Sequence, residues 1–220
     1  MDPLELARAL AGELDSFDRG QAVALAIDGP DGSGKSTLAH HVAQTCRSWG
    51  RPVLRIDVDD FLQPRRIRYR RGNDSPEGFV EDTFDYMAMR RLVLEPLENG
   101  HRRIVRRIYD TETDTPVDSP AEQVPDGAIV VVDGCLLLRT ALRSYWTLGV
   151  LLEVAEDQEV RGAAEPGPGA AAGADGLRAK HRTRRSRGFA LYLERDDPAA
   201  VADIIIDNTN VRRPVPIRWP

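Results

Sequence analysis

The sequence predicts an α/β fold, a parallel sheet of about five strands covered by helices on both faces. Three observations carry this expectation. Short apolar runs, Gln21–Asp28 (QAVALAID), Gly127–Asp133 (GAIVVVD) and Asp203–Asp207 (DIIID), have the composition of strands buried on both faces. Segments with apolar residues at helical spacing alternate with them, as crossover connections require. The first run leads straight into GPDGSGKST at Gly29–Thr37, which contains G-x-x-x-x-G-K-[ST]. A helical pattern, STLAHHVAQTCRS at Ser36–Ser48, follows it. Strand, glycine-rich turn and helix together are the context of a phosphate-binding loop, and hence of a P-loop NTPase fold.

The residue types explain the chemistry. Gly29, Asp31, Gly32, Ser33 and Gly34 form a loop whose backbone N–H groups can close around phosphate oxygens, with the positive end of a helix behind them. Lys35 is placed to reach the β- and γ-phosphates, and the hydroxyls of Ser36 and Thr37 open the helix, Ser36 as a ligand for Mg²⁺. The bland alternative is a glycine turn before an ordinary helix. Of the 30 basic residues only Lys35 and Lys180 are lysines, so a lysine here marks a need for a compact ammonium.

The remaining elements follow in order. Pro3–Phe17 has an apolar stripe of Leu4, Leu6, Leu10 and Leu14 and predicts a packing helix within residues 1–20. Arg51–Asp57 (RPVLRID) predicts the second strand, which Val58–Phe61 (VDDF) leaves at its carboxyl end. Gln63–Glu81 lacks periodicity and predicts a long loop. Thr83–Leu97 predicts a helix, Arg103–Tyr109 a strand, Asp110–Pro125 a loop, Cys135–Tyr145 a helix and Thr147–Val154 a strand. Asp157–Ala164 predicts a helix, and Glu165–Gly176 (EPGPGAAAGADG) a mobile low-complexity segment. Leu177–Arg195 predicts a basic helix, and Arg212–Pro220 an added edge strand.

Bulk properties narrow the function. A chain of 220 residues suits one domain, and 41% hydrophobic with 30% charged residues is ordinary for a soluble protein. No apolar run approaches the ~20 residues of a membrane span, and the acidic N-terminus is unlike a signal peptide. Cys46 and Cys135 lack metal-ligand spacing and suit free thiols in a reducing cytoplasm. A net charge of −5 argues against nucleic acid as a partner. Arginines nevertheless cluster, five in Arg65–Arg71, four in Arg102–Arg107 and four in Arg182–Arg187, as solvated faces or around a polyphosphate.

Ligands of such sheets bind at the carboxyl ends of the strands, where this chain concentrates aspartates. Asp133 ends an apolar strand in the form of a Walker B element and suits a metal ligand. Asp59, just beyond the second strand, suits a base that orients an acceptor hydroxyl; Asp57 and Asp60 compete for that role on spacing alone.

From about Gln21 to Asn208 the chain resembles the uridine kinase family of P-loop kinases, a group that includes phosphoribulokinase. The phosphate loop is followed by VDDF where that family has D-S-F-Y, and the resemblance implies that Asp59 is the catalytic base, with Phe61 matching the aromatic. EDTFD resembles the family's P-D-A-F-D segment, implying that Asp82 contacts the ribose hydroxyls, and Tyr109 matches an aromatic near the nucleobase. VVVDG resembles the E-G-I-L strand end and implies a metal role for Asp133. ADIIIDN, at 202–208, resembles the strand before the adenine-contacting loop.

The family's lid motif R-x-x-R-D is represented by Arg161, Ala164 and Glu165, so either one of Arg178, Arg182, Arg184 or Arg185 replaces the missing charge or the lid is weakened. Residues 163–187 would form a flexible lid segment. Asp110–Asp118 contains no histidine to read a pyrimidine.

The resemblance implies ATP, Mg²⁺ and a small-molecule hydroxyl acceptor, with uridine or cytidine the default. The alternatives are a same-fold kinase for a non-nucleoside or anionic acceptor, and a nucleotide-binding module with weak catalysis. No N-K-x-D motif supports a GTPase.

Overall fold

The structure, a computed structural model, describes residues 1–155 and 175–220, and from 175 to 183 it describes the helix backbone alone. The expected helix Asp157–Ala164, Arg161, and the Gly/Pro/Ala segment up to residue 174 lie outside the described residues.

Six strands form the central sheet: β1 Val23–Asp28, β2 Val53–Asp57, β3 Ile129–Gly134, β4 Leu148–Glu153, β5 Ile204–Asp207 and β6 Val215–Arg218. Their order is β6-β5-β4-β1-β3-β2. The first five are parallel, and β6 joins antiparallel to β5 as the expected edge strand. Alternate residues of β1 and β3 enter opposite cores. Val23, Leu25, Ile27, Ile129 and Val131 meet the helices α1 (Pro3–Ser16) and α2 (Lys35–Ser48). Ala24, Ala26, Val130 and Val132 face the other layer. No exposed side remains, which is why these strands read as unbroken apolar runs.

Helix α1 starts at Asp2, whose carboxylate accepts from the amides of Leu4 and Glu5 at 2.8 Å while Glu5 returns the bond to the Asp2 amide. Its buried stripe is Leu6, Ala7, Leu10, Ala11 and Leu14; Leu4, expected in that stripe, is 50% exposed. On the other face lie α3 (Pro76–Asp82), α4 and α5 (Asp175–Asp196). Helix α4 is α-helical at Tyr86–Met89 and Glu95–Glu98 around a π turn at Arg90–Leu94.

Three expected elements differ. Gln63–Glu81 is not a loop throughout: it contains a helical turn at Arg65–Arg68 and most of α3, capped by Ser75 with Pro76 at its first position. Arg103–Tyr109 forms no sheet strand. Arg103–Ile104 pairs with Glu122–Gln123, and Tyr109–Asp110 with Thr115–Pro116, because its arginines bar it from a sheet buried on both faces. Cys135–Tyr145 is not a helix, apart from a 3₁₀ turn at Arg143–Tyr145; Leu136 adopts φ 64°, which helical propagation forbids.

That turn follows Asp28, the fully buried last residue of β1. Its carboxylate accepts from the amides of Gly29 (2.7 Å), Leu136 and Leu138 (both 2.9 Å) and from the Tyr192 hydroxyl of α5 (2.6 Å). Burial pushes the Asp28 carboxyl above its ordinary range although the Tyr192, Leu138 and Gly29 hydrogen bonds and the Lys35 charge pull it down. Replacing Tyr192 with Phe removes a hydrogen bond to this carboxylate and is expected to lower stability by about 1.5–3 kcal/mol, read from urea unfolding midpoints at constant m-value.

Candidate active site

The phosphate loop leaves β1 at Gly29 and enters α2 at Lys35. Gly34 caps the helix at φ 87°, and a Cβ there would stand 2.7 Å from the Asn208 amide nitrogen, which donates to the Ser33 carbonyl at 2.6 Å. Asn208, just past β5, therefore holds the loop from the far side. Lys35 is buried, and its ammonium donates to the Pro30 carbonyl at 2.6 Å, curled under the loop it is expected to serve. Ser36 and Thr37 are exposed at the helix start. A cavity of about 330 Å³ opens beside the loop, lined by Gly32, Gly34, Thr37, His41, Asn208 and Val211, and by Leu6 of α1. The N-terminal helix thus reaches the site as well as packing the core.

The strand-end aspartates converge on the same edge. In the β2–β3 register Asp57 lies directly beside Asp133. Asp57 caps the 3₁₀ turn Val58–Phe61 by accepting from the Asp59 amide at 2.9 Å, and that turn presses against β3 so closely that a Cβ on Gly134 would collide with Val58. This packing fixes Asp59. Burial pushes its carboxyl upward; Arg185, Lys35 and Arg68 oppose that push and Asp31 adds to it. Asp59 therefore shares a field with Lys35 and Arg185, whereas the largest charges acting on Asp57 are aspartates and those on Asp60 are Arg107, Asp59 and Arg106.

Arg185 carries the basic side of the site. Its guanidinium donates to Asp31 Oδ1 at 2.8 Å and pairs through Nε with the other carboxylate oxygen. Burial acts to raise the Asp31 carboxyl, but Arg185 and Lys35 outweigh it and hold it below the usual range. The Cys135 thiol donates to the same carboxylate at 3.4 Å and is pushed up to about 12 by burial. The adjacent Arg184 turns the other way, donating to the carbonyls of Arg68 (2.7 Å) and Ser75 (3.2 Å) and to Thr83 Oγ1 (3.2 Å). Of the four arginines named as replacements for the lid charge, Arg185 reaches the phosphate loop. Arg184 instead braces the segment leading to Asp82, and the side chains of Arg178 and Arg182 lie outside the described set.

The three acceptor-side residues are placed as follows. Phe61 is fully buried in the core. Tyr109 is buried and donates to Asp114 at 2.7 Å, with the Arg68 guanidinium 5.4 Å from its ring centroid and paired with the same aspartate. Asp82 is buried with both oxygens engaged, one by Arg70 and one by Arg71 at 2.8 Å. Burial would raise its carboxyl, but these two guanidiniums hold it below the ordinary range.

Asp133 is buried, and its Oδ1 accepts from Arg55 Nη2 at 2.8 Å. Its Oδ2 has no hydrogen-bond partner among the described residues. The same Arg55 nitrogen lies 3.4 Å from the Ser36 backbone carbonyl at the start of α2. Among the described residues no cluster of three or more His, Cys, Asp or Glu forms. A magnesium ion needs none: it takes one or two protein oxygens and fills its shell with phosphates and water. The free carboxylate oxygen fits that ion.

No protein-family model and no curated protein matches the chain. Solved structures do. A possible uridine kinase from Bacillus stearothermophilus matches at 23% identity and a TM-score of 0.72, over 91% of this chain and 97% of that one. Phosphoribulokinase from Rhodobacter spheroides matches at 17% and 0.58, over 92% of this chain and 76% of that one. D-glycerate 3-kinase from Cryptococcus neoformans matches at 11% and 0.57, over 96% and 99%. At these identities the likeness establishes the fold alone, one the chain shares with these three structures. No described helix is long and apolar enough to cross a membrane.

The aspartate cluster gives a pH signature. Burial, then the neighbouring Asp59, Asp133 and Asp60 charges, raise the Asp57 carboxyl to about 6. A raised carboxyl binds its proton better folded than unfolded. Its contribution to stability is therefore complete below the unfolded value of about 3.9 and is lost as pH rises through about 6. Asp57→Asn keeps the capping oxygen and removes the charge. Its urea midpoint is expected to exceed that of the unsubstituted chain near neutral pH and to coincide with it near pH 4.

Proposed function

We propose that the chain is an ATP-dependent kinase that transfers the γ-phosphate to a hydroxyl of a small molecule. The observation that supports this most directly is the position of Asp59: a partly buried carboxylate in the field of Lys35 and Arg185, outside the phosphate loop and free to face a second substrate.

In this reading the loop amides and the start of α2 bind the β- and γ-phosphates, and Lys35 exchanges the Pro30 carbonyl for a phosphate oxygen. The base of ATP occupies the cavity between Thr37, His41, Asn208 and Val211. Ser36 and Asp133 hold Mg²⁺, which neutralises charge on the phosphate oxygens when bound. The acceptor hydroxyl oxygen forms its bond to the γ-phosphorus as the bond to the leaving ADP oxygen breaks, and its proton passes late to Asp59. Arg185 faces the transferred group, and Arg161 is the further lid arginine that the resemblance supplies.

A nucleoside, uridine or cytidine, is the acceptor that the family resemblance supports, with Asp82, Phe61 and Tyr109 on its side of the site. One observation favours the second reading, an anionic acceptor such as a sugar phosphate or hydroxy acid. Arg68 acts on Asp59, and the same segment carries Arg65, which like Arg68 stacks on Tyr69, and Arg70 and Arg71, which pair with Asp82. An alcohol bearing a phosphate or carboxylate would find bidentate partners there.

An ADP-release assay across nucleosides, sugar phosphates and hydroxy acids tests the proposal, and release is expected only with the right acceptor present. Acceptor-independent ATP loss, or tight ATP binding with no turnover on any acceptor, would instead mark a nucleotide-binding module. With the acceptor identified, Asp59→Asn is expected to lower kcat by about 10²–10⁴-fold while leaving affinity for an ATP analogue within a few-fold. Lys35→Ala is expected to weaken both, as calorimetric titration with the same analogue will read.

A further inference from the structure

The carboxylate read above as the metal ligand is paired with a cation of the chain's own, and neither the phosphate-loop motif nor the family resemblance calls for it. Arg55 lies on β2 opposite Val131 of β3, so Asp133 is its diagonal neighbour across the ladder and is on the same face of the sheet. That face carries α2, and the Arg55 guanidinium bridges Asp133 Oδ1 and the Ser36 carbonyl at the helix start. Arg106 pins the strand at this point by donating to the Arg55 carbonyl at 3.1 Å.

The arrangement answers an electrostatic need. Asp133 is 1% exposed, and a buried carboxylate without a counter-charge is costly. Lys35 does not meet the need, because its ammonium is on the Pro30 carbonyl. Arg55 supplies the ion pair and remains 31% exposed, so its guanidinium has a way out to solvent. A bare divalent ion entering beside it would meet a fixed positive charge at the same carboxylate. An ion arriving with the polyphosphate of ATP brings enough negative charge to satisfy both cations, and the guanidinium can move from Asp133 to a phosphate oxygen or to water.

We propose that Arg55 is a tethered counter-ion that closes the metal seat in the nucleotide-free protein, so that the divalent ion enters only together with nucleotide. Arg55 is then a positioning residue that sets the order of binding. This rests on the reading of Asp133 as the metal ligand.

The test is a Mn²⁺ titration of the full chain followed by the electron paramagnetic resonance of free Mn²⁺, with and without a non-hydrolysable ATP analogue. The unsubstituted chain is expected to bind one Mn²⁺ with the analogue and at least about tenfold more weakly without it. Arg55→Gln is expected to gain about tenfold or more in nucleotide-free Mn²⁺ affinity, and Arg55→Lys, which keeps the charge, to gain little. Adding Asp133→Asn to Arg55→Gln is expected to abolish the gain.

Equal Mn²⁺ affinity of the unsubstituted chain with and without the analogue overturns the proposal, and this measurement needs no variant to fold. A folded Arg55→Gln protein with no gain also overturns it. If Asp133→Asn alone leaves analogue-dependent Mn²⁺ binding unchanged, the assignment of the metal to Asp133 is what fails.

Discussion

The structure depends on what it does with one carboxylate. Asp28 ends the central strand, is wholly enclosed, and carries a group that water would otherwise solvate. Four donors from three separated parts of the chain replace that water: the first amide of the phosphate loop, two amides after β3, and a hydroxyl from α5. A buried acceptor is tolerated only when satisfied, so these parts are held in one arrangement or the site is lost. The loop's entry angle, the unusual backbone at Leu136 and the seating of α5 all follow from it. So does the position of Arg185, about two helical turns before Tyr192 on the same helix.

The strands of the fold were legible in the sequence where burial on both faces demanded it. VALAID and IVVVDG could be nothing else, and β5 and the edge strand β6 announced themselves by the same apolar and turn signals. Local pattern misled wherever a distant partner decided the conformation. Cys135–Tyr145 has helical spacing, yet Asp28, more than a hundred residues earlier, takes the amides of Leu136 and Leu138 and bends the chain away. Arg103–Tyr109 alternates like a strand but has too many guanidiniums for an interior ladder. The stretch after Gln63 looked shapeless because its order comes from ion pairs and from Arg184 rather than from periodicity.

The site divides along the same line. Lys35, Ser36 and Asp133 belong to local motifs whose spacing is readable in the sequence, and Arg55 bridges the Ser36 carbonyl and the Asp133 carboxylate. Asp59 stood among three aspartates on spacing, and only the family resemblance chose it; the structure adds that its turn packs on β3 through Val58. The roles of Arg55 and Arg185 were hidden among 28 arginines, since only register and helix phase decide which of them face the site. For Asp82 the family resemblance implied a contact with ribose hydroxyls, but gave no sign of the two guanidiniums that engage its carboxylate.

Arg184 and Arg185 are neighbours in sequence, and on a helix neighbours point about 100° apart. One grips the carbonyls of Arg68 and Ser75, the other the carboxylate of Asp31 in the glycine-rich loop. Helix α5 is therefore a gauge block set between that loop and the arginine-rich segment after β2. The spacing of the two is held by adjacent residues of one helix, and so is written into its pitch.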